Sequence, residues 1–203
     1  MVCNGVEISA SMIIRFDFNP RKAARAMAYL VSRVMNQKTD KAKLMKLLYL
    51  ADRDHFLVEG WPITGDDQYA MIYGPVGTLS LDLLDGQFGR RESNIFTYLQ
   101  TQNWEVYLKS LPQPLELGAT ELGVLDATID RYGAFPTWKL VRYTHKLPEY
   151  RQVFRPDTST RIPFELLLEI YSKGTLYRHN RPVITAAMAA HMTCPFPESD
   201  ADL

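Results

Sequence analysis

Lys41–Val76, KAKLMKLLYLADRDHFLVEGWPITGDDQYAMIYGPV, is the stretch on which the fold turns. Leu44, Leu47, Leu48 and Ala51 recur at the i, i+3, i+4, i+7 spacing of a helix stripe, and Tyr49 and Leu50 widen it until the segment is apolar on most sides. Such a helix belongs in the middle of a core. Glu59-Gly60-Trp61-Pro62 ends it, because Gly accepts the left-handed cap conformation and Pro62 has no amide with which to continue. At Tyr73-Gly74-Pro75-Val76 the chain restarts, with Pro75 suited to the first position of a new helix.

Upstream, Met12–Phe18 reads as a short strand or an extended arm. Asn19-Pro20 then reads as a helix start, with Asn19 as cap and Pro20 preset at the first helical position. Ala23, Met27, Leu30, Val31 and Val34 line one apolar face of that helix, and Arg21, Lys22, Arg25 and Arg33 solvate the other. Thr39 or Asp40 caps the central helix. Downstream, Leu79–Leu84 predicts a third helix and Asp85–Arg91 a loop. Ile95–Leu99 and Trp104–Leu108 have the aromatic and branched content of strands. Leu111–Leu117 carries two prolines and is confined to an edge or a connection. Leu122–Tyr132 and Trp138–Tyr143 predict helices, Arg151–Arg161 reads as a polar linker, and Phe164–Tyr171 and Val183–Met192 predict short apolar helices. The acidic, proline-bearing tail Pro195–Leu203 has the composition of a disordered segment. The expected fold is mainly α (α+β): a compact helical domain around a buried central helix, with a small antiparallel hairpin or meander.

A length of 203 residues suits one domain with an extension. Lys plus Arg and Asp plus Glu both total 23, and this neutral balance argues against a protein whose main task is gripping nucleic-acid backbone. Cys3 and Cys194 lie near opposite ends without metal-ligand spacing and read as reduced thiols. No run reaches the 18 or so apolar residues of a membrane span, and no signal-peptide core is visible. A cytoplasmic location with no membrane partner is the expectation.

Several residues invite a chemical reading. Asp52, Asp54, His55 and Glu59 have the three- and four-residue spacings at which helical side chains meet, as a metal site or an acid–base pair needs. The alternative, capping and surface solvation near a helix C-terminus, is the reading adopted. Asp66-Asp67 reads as a cap for the next helix rather than a metal site. His145 with Glu149 offers a general base, against the plainer reading of a half-buried histidine bonded to backbone. Gly74-Pro75-Val76-Gly77 lacks the lysine and hydroxyl of a phosphate loop and reads as a strand-free turn. Lys38, Lys41, Lys43 and Lys46 read as a solvated face. No cofactor motif, no metal site and no catalytic set are expected.

The block carries a resemblance. Its KLLYLAD-type helix, its Gly60-x-Pro62 and Ile63-Thr64-Gly65-Asp66 link and its Ala70-x-x-x-Gly74-Pro75-Val76 turn, in that order, resemble the Panacea domain of the SocA-like antitoxin family. A closing segment, Leu140-x-x-x-Thr144-His145 followed by Pro148-Glu149-Tyr150, continues it, with Tyr150 where the family usually has Trp. The resemblance spans residues 20–152, between an N-terminal arm at 1–19 and a C-terminal helical extension with a disordered tail at 153–203. It implies a phage- or mobile-element-associated antitoxin. Such a protein neutralises a cognate toxin by direct binding and can act as an adaptor to a bacterial protease. The residues matching the motif are Lys46, Tyr49, Asp52, Gly60, Ala70, Gly74, Pro75, Val76 and His145, in fold-setting or partner-binding roles. Two other readings stand beside it: a metal-dependent or acid–base enzyme using His55, Asp52 or His145, and a mobile-element protein holding nucleic acid or a host factor through the lysines.

Overall fold

The computed structural model describes residues 13–34 and 37–171. Helix α1 (Pro20–Arg33) is capped as its sequence directs, Asn19 Oδ1 accepting from the Lys22 amide at 3.0 Å. Strand β1 (Lys38–Asp40) leads into helix α2 (Lys41–Glu59), where Asp40 is the cap. Residues 44–52 of α2 are buried without interruption, on every side of the helix. Gly60 ends it with φ of 88°, its amide donating to the Phe56 carbonyl. Around α2 pack α1, β1 and several elements that follow later in the chain.

Next come strands β2 (Gln68–Met71) and β3 (Gly74–Gly77), a hairpin whose tip is Ile72-Tyr73. Here the structure corrects the sequence reading: Pro75 does not open a helix and the turn is not strand-free. Proline can occupy β3 because β3 lies at the edge of its sheet. Helix α3 (Thr78–Leu84) begins only afterwards. Two short helices follow, α4 (Arg90–Ser93), which begins at the end of the stretch read as loop, and α5 (Ile95–Tyr98), in the stretch read as strand. The branched, aromatic composition of Ile95–Leu99 is overridden locally. Ser93 Oγ accepts from the Ile95 amide at 3.2 Å, and Ile95 is buried where α5 meets α1. Strand β4 (Leu99–Gln102) then pairs with strand β5 (Glu105–Leu108) as a hairpin.

Helix α6 (Ala119–Tyr132), helix α7 (Thr137–Thr144) and helix α8 (Pro148–Val153) complete the wall around α2. The polar stretch read as a linker ends in strand β6 (Thr160–Ile162), hydrogen-bonded antiparallel to β2, and helix α9 (Phe164–Tyr171) follows it. Two three-stranded antiparallel sheets result, in the orders β1-β5-β4 and β3-β2-β6. The fold class is therefore the expected one, with two small sheets where a single hairpin or meander was read. The predicted helix at Val183–Met192 and the acidic tail lie outside the described residues.

The main core gathers α1, α2 and the inward faces of the later helices and strands. A second, smaller cluster joins Ile14 of the N-terminal arm, Phe56 and Leu57 of α2, and Phe164, Leu167 and Leu168 of α9. Phe164 stands 4.7 Å from Phe56 and 5.0 Å, edge-on, from Phe16. Truncating Leu47, fully buried in α2, to Ala should lower the unfolding free energy by about 2–5 kcal/mol. Truncating Trp138, 60% exposed on α7, should change it by no more than about 0.5 kcal/mol. Urea denaturation of the two variants measures both.

Candidate functional site

Four polar residues of α2, Lys46, Tyr49, Asp52 and His55, lie three apart, and all four are buried. Three residues advance a helix by about 300°, so each side chain is turned about 60° from the one before, and Lys46 and His55 leave opposite sides of α2. Each therefore meets a different element. Lys46 Nζ donates to the Pro75 carbonyl of β3 at 2.7 Å. The Tyr49 hydroxyl donates to Glu149 Oε1 of α8 at 3.0 Å. Asp52 accepts from the Thr64 amide at 3.0 Å, from the Thr64 hydroxyl, and from Gln68 Nε2 at 3.3 Å. His55 Nδ1 lies 2.7 Å from the Trp61 carbonyl, the geometry of a ring N–H donating to it.

The reading of Asp52 and His55 as surface or capping residues is thus overturned. A buried polar group without a partner costs about 1–3 kcal/mol, so each position on this helix needs a specific acceptor or donor from elsewhere in the chain. Lys46 likewise does not belong to a solvated lysine face. Lys38 pairs with Glu105, Lys41 with Asp85, and Lys43 donates to the Gly133 carbonyl.

Burial sets the protonation of this network. It raises the Asp52 carboxyl to about 7 against the opposing pull of its Thr64 hydrogen bonds, and it lowers the Lys46 ammonium to about 7. Asp66 is raised to about 6 by burial, although it accepts from the Leu79 and Ser80 amides. Through those bonds Asp66 caps α3 from across the β2–β3 hairpin, while Asp67 pairs with Arg161 of β6.

His145 and Glu149 do not pair. Glu149 is wholly buried and accepts from Tyr49, from Arg53 at 3.4 Å and from the Tyr171 hydroxyl at 2.8 Å. His145 is half-buried and stacked on Tyr150 at 4.8 Å. Burial first, and then the Lys46 charge, hold the imidazole below its ordinary pKa. The Tyr150 hydroxyl donates to the Met71 carbonyl at 2.9 Å, beside the β2–β3 hairpin tip. Gly74, with φ of 94°, sits in the angle between these groups. A Cβ there would lie 2.9 Å from Thr144 Oγ1 and 3.1 Å from both His145 Cδ2 and Lys46 Cε. Ala70 and Val76 are buried in β2 and β3.

The motif residues therefore gather around α2 and the β2–β3 hairpin, each with its own partners, and Asp52, His55 and His145 do not converge. Among the described residues no three of His, Cys, Asp and Glu are grouped to hold a metal ion. Two surface clefts, of about 420 and 310 Å3, are lined by none of Asp52, His55 and His145. Glu149, Thr64, Gln68 and Tyr171 complete the network. Sequence reasoning missed them as partners because Glu149 lies 100 residues from Tyr49 and 96 from Arg53.

The family model for the SocA-like antitoxin Panacea domain matches residues 44–150, more than half of the chain. No curated protein and no solved structure matches.

Replacing Gly74 by Ala should lower stability by about 2 kcal/mol, from the strain of positive φ alone, with crowding against Thr144 added to it. The pH dependence has two arms of opposite sign. The native state keeps the Asp52 proton between about pH 4 and about 7, where the unfolded chain has released it, so this contribution is complete below pH 4 and is lost as pH rises through 7. Lys46 is the reverse: its contribution is complete above about pH 10.4 and is lost as pH falls through 7. Urea unfolding across pH 4–10 should show the first slope reduced in Asp52→Asn, with Asp66 supplying the remainder, and the second reduced in Lys46→Met.

Proposed function

This chain belongs to the SocA-like antitoxin family as a Panacea-domain protein, and from that premise we propose that it neutralises a cognate toxin by stoichiometric binding. The observation that carries this reading is the matched block itself, residues 44–150, which spans α2, the β2–β3 hairpin and α7. Its motif residues have the character of a scaffold. Lys46, Tyr49, Asp52, Gly60, Ala70, Gly74, Pro75 and Val76 are buried and bonded or packed within the fold, and His145 is half-buried against the hairpin. Their role is to hold the hairpin and helices in place, and partner contact falls to the exposed residues that they position. The buried Glu149 and the half-buried Arg53 and Asp54 form a charge network that serves the same end. Delivery of the bound toxin to a bacterial protease is an extension of this reading.

Two features favour binding over turnover. The candidate acid–base residues have internal partners rather than a shared cavity, and the lysines of the nucleic-acid reading are engaged by Glu105, Asp85, Gly133 and Pro75. Among the described residues, no helix is long and apolar enough to cross a membrane.

Co-expression with the protein encoded by the adjacent open reading frame tests the proposal. Growth inhibition by the neighbour, rescue by this chain and co-purification of a complex in fixed ratio are the expected results. A harmless neighbour, or rescue without a complex, would overturn neutralisation by contact. Rescue that disappears when host proteases are removed, with the complex intact, would assign the effect to delivery.

A further inference from the structure

The β2–β3 hairpin ends in two large apolar residues, Ile72 and Tyr73, which are 62% and 73% exposed. Two-residue hairpin tips ordinarily take Gly, Asn or Asp, whose backbones and short side chains suit the turn and the solvent. Here Gly74 alone supplies the positive φ, so nothing in the turn geometry calls for Ile or Tyr at the tip.

The tip is held from below on three sides. Tyr150 donates to the Met71 carbonyl, Lys46 donates to the Pro75 carbonyl, and Thr144 and His145 close on Gly74 so tightly that a Cβ there would meet them at 2.9 and 3.1 Å. An apolar pair fixed in this way loses little conformational freedom on binding. Much of the motif thus converges on the presentation of two residues that the motif itself leaves unspecified.

The surface beside the tip is charged with one sign. From Thr137 to Arg155 the chain carries five Lys and Arg residues, all exposed, and its one acid, Glu149, is buried and bonded internally. Among the described residues, Arg142, Lys146 and Arg151 pair with no carboxylate. Trp138, 60% exposed, stands four residues before Arg142 and seven before His145, so one stripe of α7 runs from the hairpin to this indole. In a chain of zero net charge this is a local concentration. Tyr, Trp and Arg are also the residue types that dominate binding energy at protein interfaces.

We propose that the Ile72-Tyr73 tip and the adjoining α7–α8 surface are the toxin-binding face, and that the partner presents an apolar pocket rimmed by acidic residues. The tip enters the pocket, Trp138 covers a second apolar area, and Arg142, Lys146 and Arg151 meet the acidic rim. A protein partner fits better than nucleic acid, since an exposed Ile and Trp gain from apolar burial that a phosphate backbone does not provide. This inference rests on the antitoxin reading above.

The test uses the full chain and the protein from the adjacent open reading frame, with affinity and rates measured by calorimetry and surface-based kinetics. The tip variant Ile72→Ser/Tyr73→Asn should bind at least about 100-fold more weakly. The reversal Arg142→Glu/Arg151→Glu should slow association about 10-fold at low salt and much less at 0.5 M salt. Trp104→Ser, on the β4–β5 hairpin and 76% exposed, should bind as the wild type does. Circular dichroism melts within a few degrees of the wild type would show that folding is intact.

Wild-type affinity in both multiple variants would overturn this face while leaving the antitoxin reading standing. Absence of any wild-type complex would overturn both. Three further results would reassign the surface and overturn the proposal. One is a dimer of the isolated chain that the tip variant dissolves. Another is a random 20-base-pair duplex bound at 0.15 M salt and lost on reversal of Arg142 and Arg151. The third is protection from hydrogen exchange at residues 72–73 already present in the isolated chain, which would assign the face to another segment of the same chain.

Discussion

A helix buried on every side and carrying four polar side chains is the constraint from which the rest of this structure follows. Lys46, Tyr49, Asp52 and His55 cannot turn to water, so the fold must deliver a hydrogen-bonding partner to each of four directions around α2. The partners are Pro75, Glu149, Thr64 with Gln68, and Trp61. They come from a hairpin, a helix near the end of the matched block, the link after α2 and the turn that ends it. Packing alone would tolerate several arrangements of apolar helices, whereas directional bonds from four side chains in four directions select among them.

The same bonds explain why the β2–β3 hairpin sits where it does. Lys46 reaches Pro75, Asp66 spans the hairpin to cap α3, and Tyr150 with His145 closes on its tip from α7 and α8. Gly74 allows the approach, because any side chain there would crowd Thr144, His145 and Lys46 together. The network, together with β6 on the other side of β2, thus anchors a short hairpin, a type of element that is marginally stable alone in water, and fixes its tip as a projection. That apolar projection stands beside a basic helical surface on a domain of the SocA-like antitoxin family.

What was legible in advance follows a physical pattern. The helical elements α1, α2 and α6 were visible because a dozen residues of 3.6-fold periodicity, or a strong cap such as Asn19-Pro20, outweigh local accidents. Strands of three or four residues have no such signal. Strand β1 reads only as the cap of α2 and β6 as the end of a linker, and β3, Gly-Pro-Val-Gly, reads as a helix start until β2 is placed beside it. Composition misled at Ile95–Tyr98, where Ser93 and the α1 surface impose a helical turn on a strand-like sequence. At the candidate site, sequence named Asp52, His55 and His145 as notable without revealing that they meet Thr64, Trp61 and the Tyr150 ring.

By itself the sequence determined the central helix, its N-terminal cap to within Thr39 or Asp40, its end at Gly60, the mainly helical class and the ordered motif that marks the family. These are local properties, written in spacing and in residues whose backbone preferences need no context. Tertiary structure alone decided that Lys46 is buried rather than solvated, that Glu149 bonds Tyr49 and Arg53 instead of His145, and that Ile72, Tyr73 and the basic surface of α7 and α8 lie together. Each of these depends on contacts between residues some 30 to 100 positions apart, and burial of a charge is a property of its surroundings rather than of its own side chain.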